Sequence, residues 1–224
     1  EGKEHITVSQ KLYYNPNPNL SVLVYGSSFF MNTYDLIQDM MFSQARDWTA
    51  GTKVTYHVKD WFSVTGSLHA DFYDRFKRHE RIDKRQKDYE SSIYQPRLTV
   101  TSNYFNGHSL ILGMEHTSDE LTSDRFSGNA NHDLKTRALK ETEYFLQDEW
   151  TINPRWMISA GIRTNFSKAF GFMGMPKVAA KYSPDKHWSL RANYSMGYRS
   201  PSIKELFFNW DHLGMFMIRG NENM

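Results

Sequence analysis

The stretch Trp188-Ser-Leu-Arg-Ala-Asn-Tyr-Ser-Met-Gly-Tyr-Arg199 alternates without a break. One set of alternate positions holds Trp188, Leu190, Ala192, Tyr194, Met196 and Tyr198; the other holds Ser189, Arg191, Asn193, Ser195, Gly197 and Arg199. Successive side chains of a pleated strand point to opposite faces, so this segment has one apolar face and one polar face. Residues 156–166 repeat the pattern, with Trp156, Ile158, Ala160, Ile162 and Phe166 set against Met157, Ser159, Gly161, Arg163 and Asn165. Tyr94, Pro96, Leu98 and Val100 oppose Gln95, Arg97, Thr99 and Thr101. Working outward from these runs, the periodicity predicts ten strands, at 4–14, 19–34, 47–59, 61–77, 90–104, 108–118, 138–152, 156–168, 176–183 and 188–199. Most are about as long as a tilted strand needs to be to cross a bilayer.

The connections alternate between short and long. Residues 15–19, 59–60, 106–107, 153–155 and 184–187 carry the Asn, Pro, Gly and Asp of tight turns. Residues 35–46, 78–89 and 119–137 read as long polar loops, with a briefer one at 170–175. A membrane barrel keeps its short turns at one end and its long loops at the other. Aromatics gather beside the short turns, at Tyr13, Tyr14, Trp61, Phe62, Tyr104, Phe105, Trp150, Trp156 and Trp188, where an interfacial girdle would lie. Within 35–46, Leu36, Ile37, Met40 and Met41 would share one face of a short helix. The charged run 74–88 reads as a solvated exit from the sheet, or as a patch for acidic lipopolysaccharide.

Composition agrees with a chain that meets two solvents. Aromatics reach 15% and charged residues 23%, the net charge is +2, and there is no cysteine. The interleaved charges leave no footprint for nucleic acid, and the missing thiols exclude disulfides and thiolate metal sites. A mean hydropathy of −0.66 is compatible with a barrel, because only alternate residues face lipid. No run approaches the 18 or so apolar residues of a membrane helix. There is no HExxH, GxSxG or Gly-rich phosphate loop, and the nine histidines lack metal-ligand spacing, so an enzyme is not expected. His57 and His69 fall on polar strand faces.

The segment Tyr198-Arg-Ser-Pro-Ser-Ile-Lys-Glu-Leu-Phe-Phe208 resembles the FRAP-type motif of TonB-dependent outer-membrane receptors. Gly220-Asn-Glu-Asn-Met224 looks like the start of their NPNL-type box, with Glu222 where proline is usual. Phe145-Leu-Gln-Asp-Glu-Trp150 followed by Ala160-Gly-Ile-Arg163 is also typical of these barrels, and Asn209-Trp-Asp-His-Leu-Gly214 resembles receptors of the Bacteroides group. The motif positions are thus Tyr198, Arg199, Ser200, Pro201, Gly220, Asn221, Glu222 and Asn223. The resemblance implies an all-β, antiparallel transmembrane barrel segment of about ten strands, part of a roughly 22-stranded barrel in the outer membrane. Residues 1–224 are expected to be a partial receptor barrel, without the plug domain and the C-terminal strands.

The same resemblance implies active uptake energised through the TonB complex, which engages the plug. Lipid, lipopolysaccharide and a surface lipoprotein are its further expected partners. The pair of boxes with a histidine between them points first to haem, as transported cargo rather than as an intrinsic cofactor. On that reading His212 is the ligand of the haem iron, Trp210, Met215 and Phe216 pack against the porphyrin beside Met217, and Arg199 and Lys204 meet propionates. A corrinoid is the second expectation and an iron siderophore the third. Arg199 and Lys204 equally suit an ion pair with Glu205 that holds the loop. The remaining alternative is a complete small barrel acting as pore, adhesin or enzyme.

Overall fold

The computed structural model describes residues 2–34, 41–79, 84–126, 133–212 and 215–222. Ten strands form one antiparallel sheet in strict chain order: β1 (Gly2–Asn17), β2 (Leu20–Tyr34), β3 (Met41–Lys59), β4 (Phe62–His79), β5 (Lys84–Ser102), β6 (His108–Ser123), β7 (Lys135–Asn153), β8 (Trp156–Ser167), β9 (Gly171–Tyr182) and β10 (Leu190–Ser195). A short helix α1 (Ile203–Phe207) and a hairpin of β11 (Asn209–His212) and β12 (Phe216–Arg219) follow. Such a meander, with every strand hydrogen-bonded to its chain neighbour, is the wall of an up-and-down barrel.

The register sorts residues into the two faces expected. Val22, Val54, Leu98, Met114 and Tyr144 belong to one face, and Leu112, Leu146 and Ile162 continue it. Leu98, Leu112, Leu146 and Ile162 are each 44–50% exposed, which is what residues turned to hydrocarbon show when no lipid is present. The opposite face is polar and cross-linked. Arg97 pairs with Glu115, Arg163 with Glu143, and Lys177 with Gln147. Tyr25 Oη is 3.0 Å from His69 Nδ1 on that face. Phe145 also lies on this face; its ring lies over Gly113, where any Cβ would collide with it and with the Leu98 carbonyl. The Arg97 guanidinium covers the same ring at 4.8 Å.

Asparagine and aspartate close the short turns. Asn153 Oδ1 accepts from the amides of Arg155 (2.9 Å) and Trp156 (3.0 Å), and Asp185 Oδ1 from those of His187 (2.7 Å) and Trp188 (3.1 Å). Aromatic contacts line this end: Trp61 with Tyr104 at 4.8 Å and Trp156 stacked on Tyr182 at 4.4 Å.

The opposite end departs from the reading of the sequence. Strands β4 to β7 run on to His79, from Lys84, to Ser123 and from Lys135, so the loops are shorter than hydropathy suggests. Beyond the bilayer both faces of a strand are wet. The apolar alternation stops there while the hydrogen-bond ladder continues. For the same reason Met41–Arg46 is strand and not helix, with Gln44 paired to Asn32 and Arg46 to Phe30; Leu36, Ile37 and Met40 lie outside the described residues. Gly171–Met175 is strand as well, so the connection there shrinks to 168–170. Strand β10 runs from Leu190 to Ser195 and is thus shorter at both ends than the 188–199 expected. Among the described residues of the charged run 74–88, several acidic and basic side chains pair with one another. Arg75 and Lys77 both grip Asp88, at 2.8 and 3.0 Å, and Lys87 bridges Asp74 and Glu90. Asp88, 3% exposed, reaches its partners because a bulge shifts the β4–β5 register between Arg75 and Phe76.

Candidate functional site

The segment after β10 turns back across the polar face of the sheet. Pro201 and the extended Ser202 lead into α1, and a capping box starts it: Ser202 Oγ accepts from the Glu205 amide at 3.3 Å, and Glu205 Oε2 accepts from the Ser202 amide at 2.8 Å. Arg199 clamps the same carboxylate with Nη1 on Oε2 at 3.0 Å and Nη2 on Oε1 at 2.8 Å. The Arg199 guanidinium and the Ser202 amide and hydroxyl lower the Glu205 pKa from 4.5 to about 2. Ser200 Oγ accepts from Asn165 Nδ2 of β8 at 3.4 Å, and the same amide donates to Glu141 of β7.

The helix is anchored by apolar packing. Ile203 and Phe208 are buried with Leu121 and Phe126, and Tyr89, Leu139 and Phe207 pack around them. Phe208 bridges to Phe126 through the backbone, and the Asn209 amide donates to the Arg125 carbonyl at 2.9 Å. The two motif segments meet here. The Asn221 amide donates to the Glu205 carbonyl at 3.0 Å, and Gly220 lies so close to the Leu206 carbonyl that a Cβ would overlap it. Glu222 is exposed, and Asn223 lies outside the described residues.

Beside α1 the wall forms an open hollow of about 300 Å³ lined by Asp47, Asp71, Tyr73, Arg75, Tyr89, Ser91 and, from the helix, Lys204. Thr49 Oγ1 donates to Asp71 at 2.8 Å, Tyr73 meets Tyr89 edge-on at 5.5 Å, and Lys204 Nζ sits 5.0 Å over the Tyr89 ring. Lys204 is therefore placed over an aromatic wall residue, whereas Arg199 takes Glu205. Of this hollow only Lys204 stood out in the sequence. Asp47, Asp71, Tyr73 and Tyr89 look like ordinary inward positions of polar strands, and only the approach of α1 marks them out. His212 pairs with Phe216, and Trp210 with Ile218, across β11 and β12. Met215 and Met217 are 68% and 50% exposed on that hairpin. The reading of Trp210, His212 and Phe216 as haem contacts concerns side chains outside the described ones. Among the described residues no three His, Asp or Glu side chains converge as metal ligands.

Ten-strand meander, lipid-type outer face, cross-linked polar inner face and a loop strapped over the inner wall together define a segment of an outer-membrane β-barrel. The chain belongs to the family described as TonB dependent receptor-like, beta-barrel, which it matches over residues 5–224. It is similar to the iron-regulated outer membrane virulence protein of Vibrio cholerae, 24% identical over 175 residues, covering 75% of this chain and 24% of that protein. Among solved structures it superposes on the siderophore receptor PirA from Pseudomonas aeruginosa with a TM-score of 0.78 at 12% identity, covering 100% of this chain and 41% of that one. The siderophore receptor PirA from Acinetobacter baumannii gives 0.73 at 11% identity, over 92% and 35%. The chain thus spans about a quarter of the curated relative and less than half of each solved receptor.

Proposed function

We propose that these residues form part of the wall and outer mouth of a receptor that imports an iron complex, with transport energised by the TonB complex acting on the plug. The observation that carries this reading is the strap: α1, anchored on the wall, brings Lys204 to the rim of an open, polar, tyrosine-lined hollow at the long-loop end of the inner face. A cargo entering from outside meets Lys204, Tyr73 and Tyr89 before anything deeper in the barrel. The relatives named for siderophores and for iron regulation favour a siderophore-type complex over haem as that cargo. Haem is the second reading, favoured by the exposed Met215 and Met217 on the hairpin that carries His212.

The test is a titration of the complete detergent-solubilised receptor with a ferric siderophore, hemin and cyanocobalamin in turn. Wild type is compared with Lys204→Ala and His212→Ala. Saturable siderophore binding weakened by Lys204→Ala supports the first reading. A Soret shift lost in His212→Ala supports the second, and cobalamin binding alone overturns both.

A further inference from the structure

A carboxylate stands on the lipid-facing side of the wall where the pattern calls for an apolar residue. Asp148 of β7 lies between Leu110 of β6 and Ala160 of β8. Its diagonal neighbours on that face are His108, Leu112, Ile158 and Ile162, and Leu146 and Trp150 flank it along β7. An ionisable group on a lipid face is costly unless something there uses it. Among the described residues His108 alone answers it, with Nδ1 2.7 Å from Oδ2, and Trp150 stacks on that imidazole at 5.2 Å. Oδ1 is buried and has no hydrogen-bond partner among the described residues, so the 36% of the side chain that is exposed does not include it, and any contact with lipid falls to Oδ2. Ala160, small and exposed, stands directly opposite it across the β7–β8 pair.

The height of this group suggests what it meets. Asp148 stands one pleat step, about 7 Å along the strand, from Trp150 on the way to the short turn at 153–155. The tryptophan marks the level of the periplasmic head groups. We propose that the surface formed by Asp148, His108, Trp150 and Ala160 binds the primary ammonium head group of an aminophospholipid in the periplasmic leaflet. A primary ammonium brings N–H donors and a positive charge to the carboxylate, and the exposed indole adds a π-face for a cation. A quaternary ammonium brings charge without donors. A head group with only phosphate and hydroxyls brings a like charge. The site is independent of the cargo and lies on the opposite face from the strap.

The complete receptor is equilibrated with equal amounts of phosphatidylethanolamine, phosphatidylcholine and phosphatidylglycerol of identical acyl chains. The lipids retained are then read by native mass spectrometry. Wild type is expected to retain phosphatidylethanolamine several-fold over each of the others, and Asp148→Asn to retain the three about equally. Ala160→Leu sets a bulky side chain beside Asp148, keeps the Asp148–His108 pair and adds only apolar surface to a lipid face. It is expected to remove the preference while leaving heat-resistant folding intact, and it decides the matter if Asp148→Asn fails to fold. Equal retention by wild type, or a preference that survives in either folded variant, overturns the site and leaves Asp148–His108 as a tie between β6 and β7.

Discussion

The Glu205 carboxylate serves the helix cap and the Arg199 clamp at once. Its folded pKa of about 2 lies below the ordinary 4.5, so its contribution is fully present above 4.5 and is lost as the pH falls through about 2. Hydrogen exchange of the α1 amides is expected to accelerate across that window in wild type and to show no such step in Glu205→Gln. At Gly113 the physics is steric. Gly113→Val sets a branched side chain against the Phe145 ring and the Leu98 carbonyl, and overpacking of this kind costs about 1–3 kcal/mol. Gly113→Val should therefore lower the denaturant midpoint of the folded receptor, and an unchanged midpoint would mean that Phe145 can swing clear.

At the scale of a strand, the two faces make opposite demands. Leu98 and Thr99 are adjacent on β5, yet one faces lipid and the other the lumen. Leu98→Arg is expected to destabilise by about 2–4 kcal/mol near the bilayer midplane, and Thr99→Arg by much less, as measured by guanidinium unfolding in lipid. Pro96 shows how far the ladder tolerates interruption. It gives no amide, and the β5–β6 pairing skips Gln95 and Pro96, resuming at Tyr94 and Arg97. The strand survives there because β4 holds Pro96 in register with Leu68 on the other side.

For the whole molecule, the edges matter most. Strand order runs from β1 to β10, and these two strands pair with β2 and β9 alone. An open edge in hydrocarbon costs several kcal/mol per unpaired backbone group. Residues 1–224 expressed by themselves are therefore expected to show no heat-modifiable mobility in detergent, whereas the complete receptor shows it. A heat-resistant species of the isolated segment would mean that β1 and β10 can close on each other.

Much of this architecture was readable from residue order. The period-two runs placed all ten sheet strands, and Asn153 and Asp185 marked their turns, because lipid on one side and water on the other write themselves into alternate residues. The outer ends of β3 to β7 were not readable, since a strand with water on both faces has no hydropathic signature. The motif Tyr198–Phe208 announced a family, and the Ser202–Glu205 spacing of a capping box is local. Where that segment docks is not local. Ile203 and Phe208 find Leu121 and Phe126 some eighty residues earlier in the chain, and no periodicity encodes such a meeting. The hollow beside the strap was decided in the same way. Asp47, Asp71, Tyr73 and Tyr89 are ordinary inward residues until antiparallel register sets three strands side by side and α1 brings Lys204 to them. A side chain's face depends on its immediate neighbours in the chain; which distant faces come together depends on packing free energy summed over the fold.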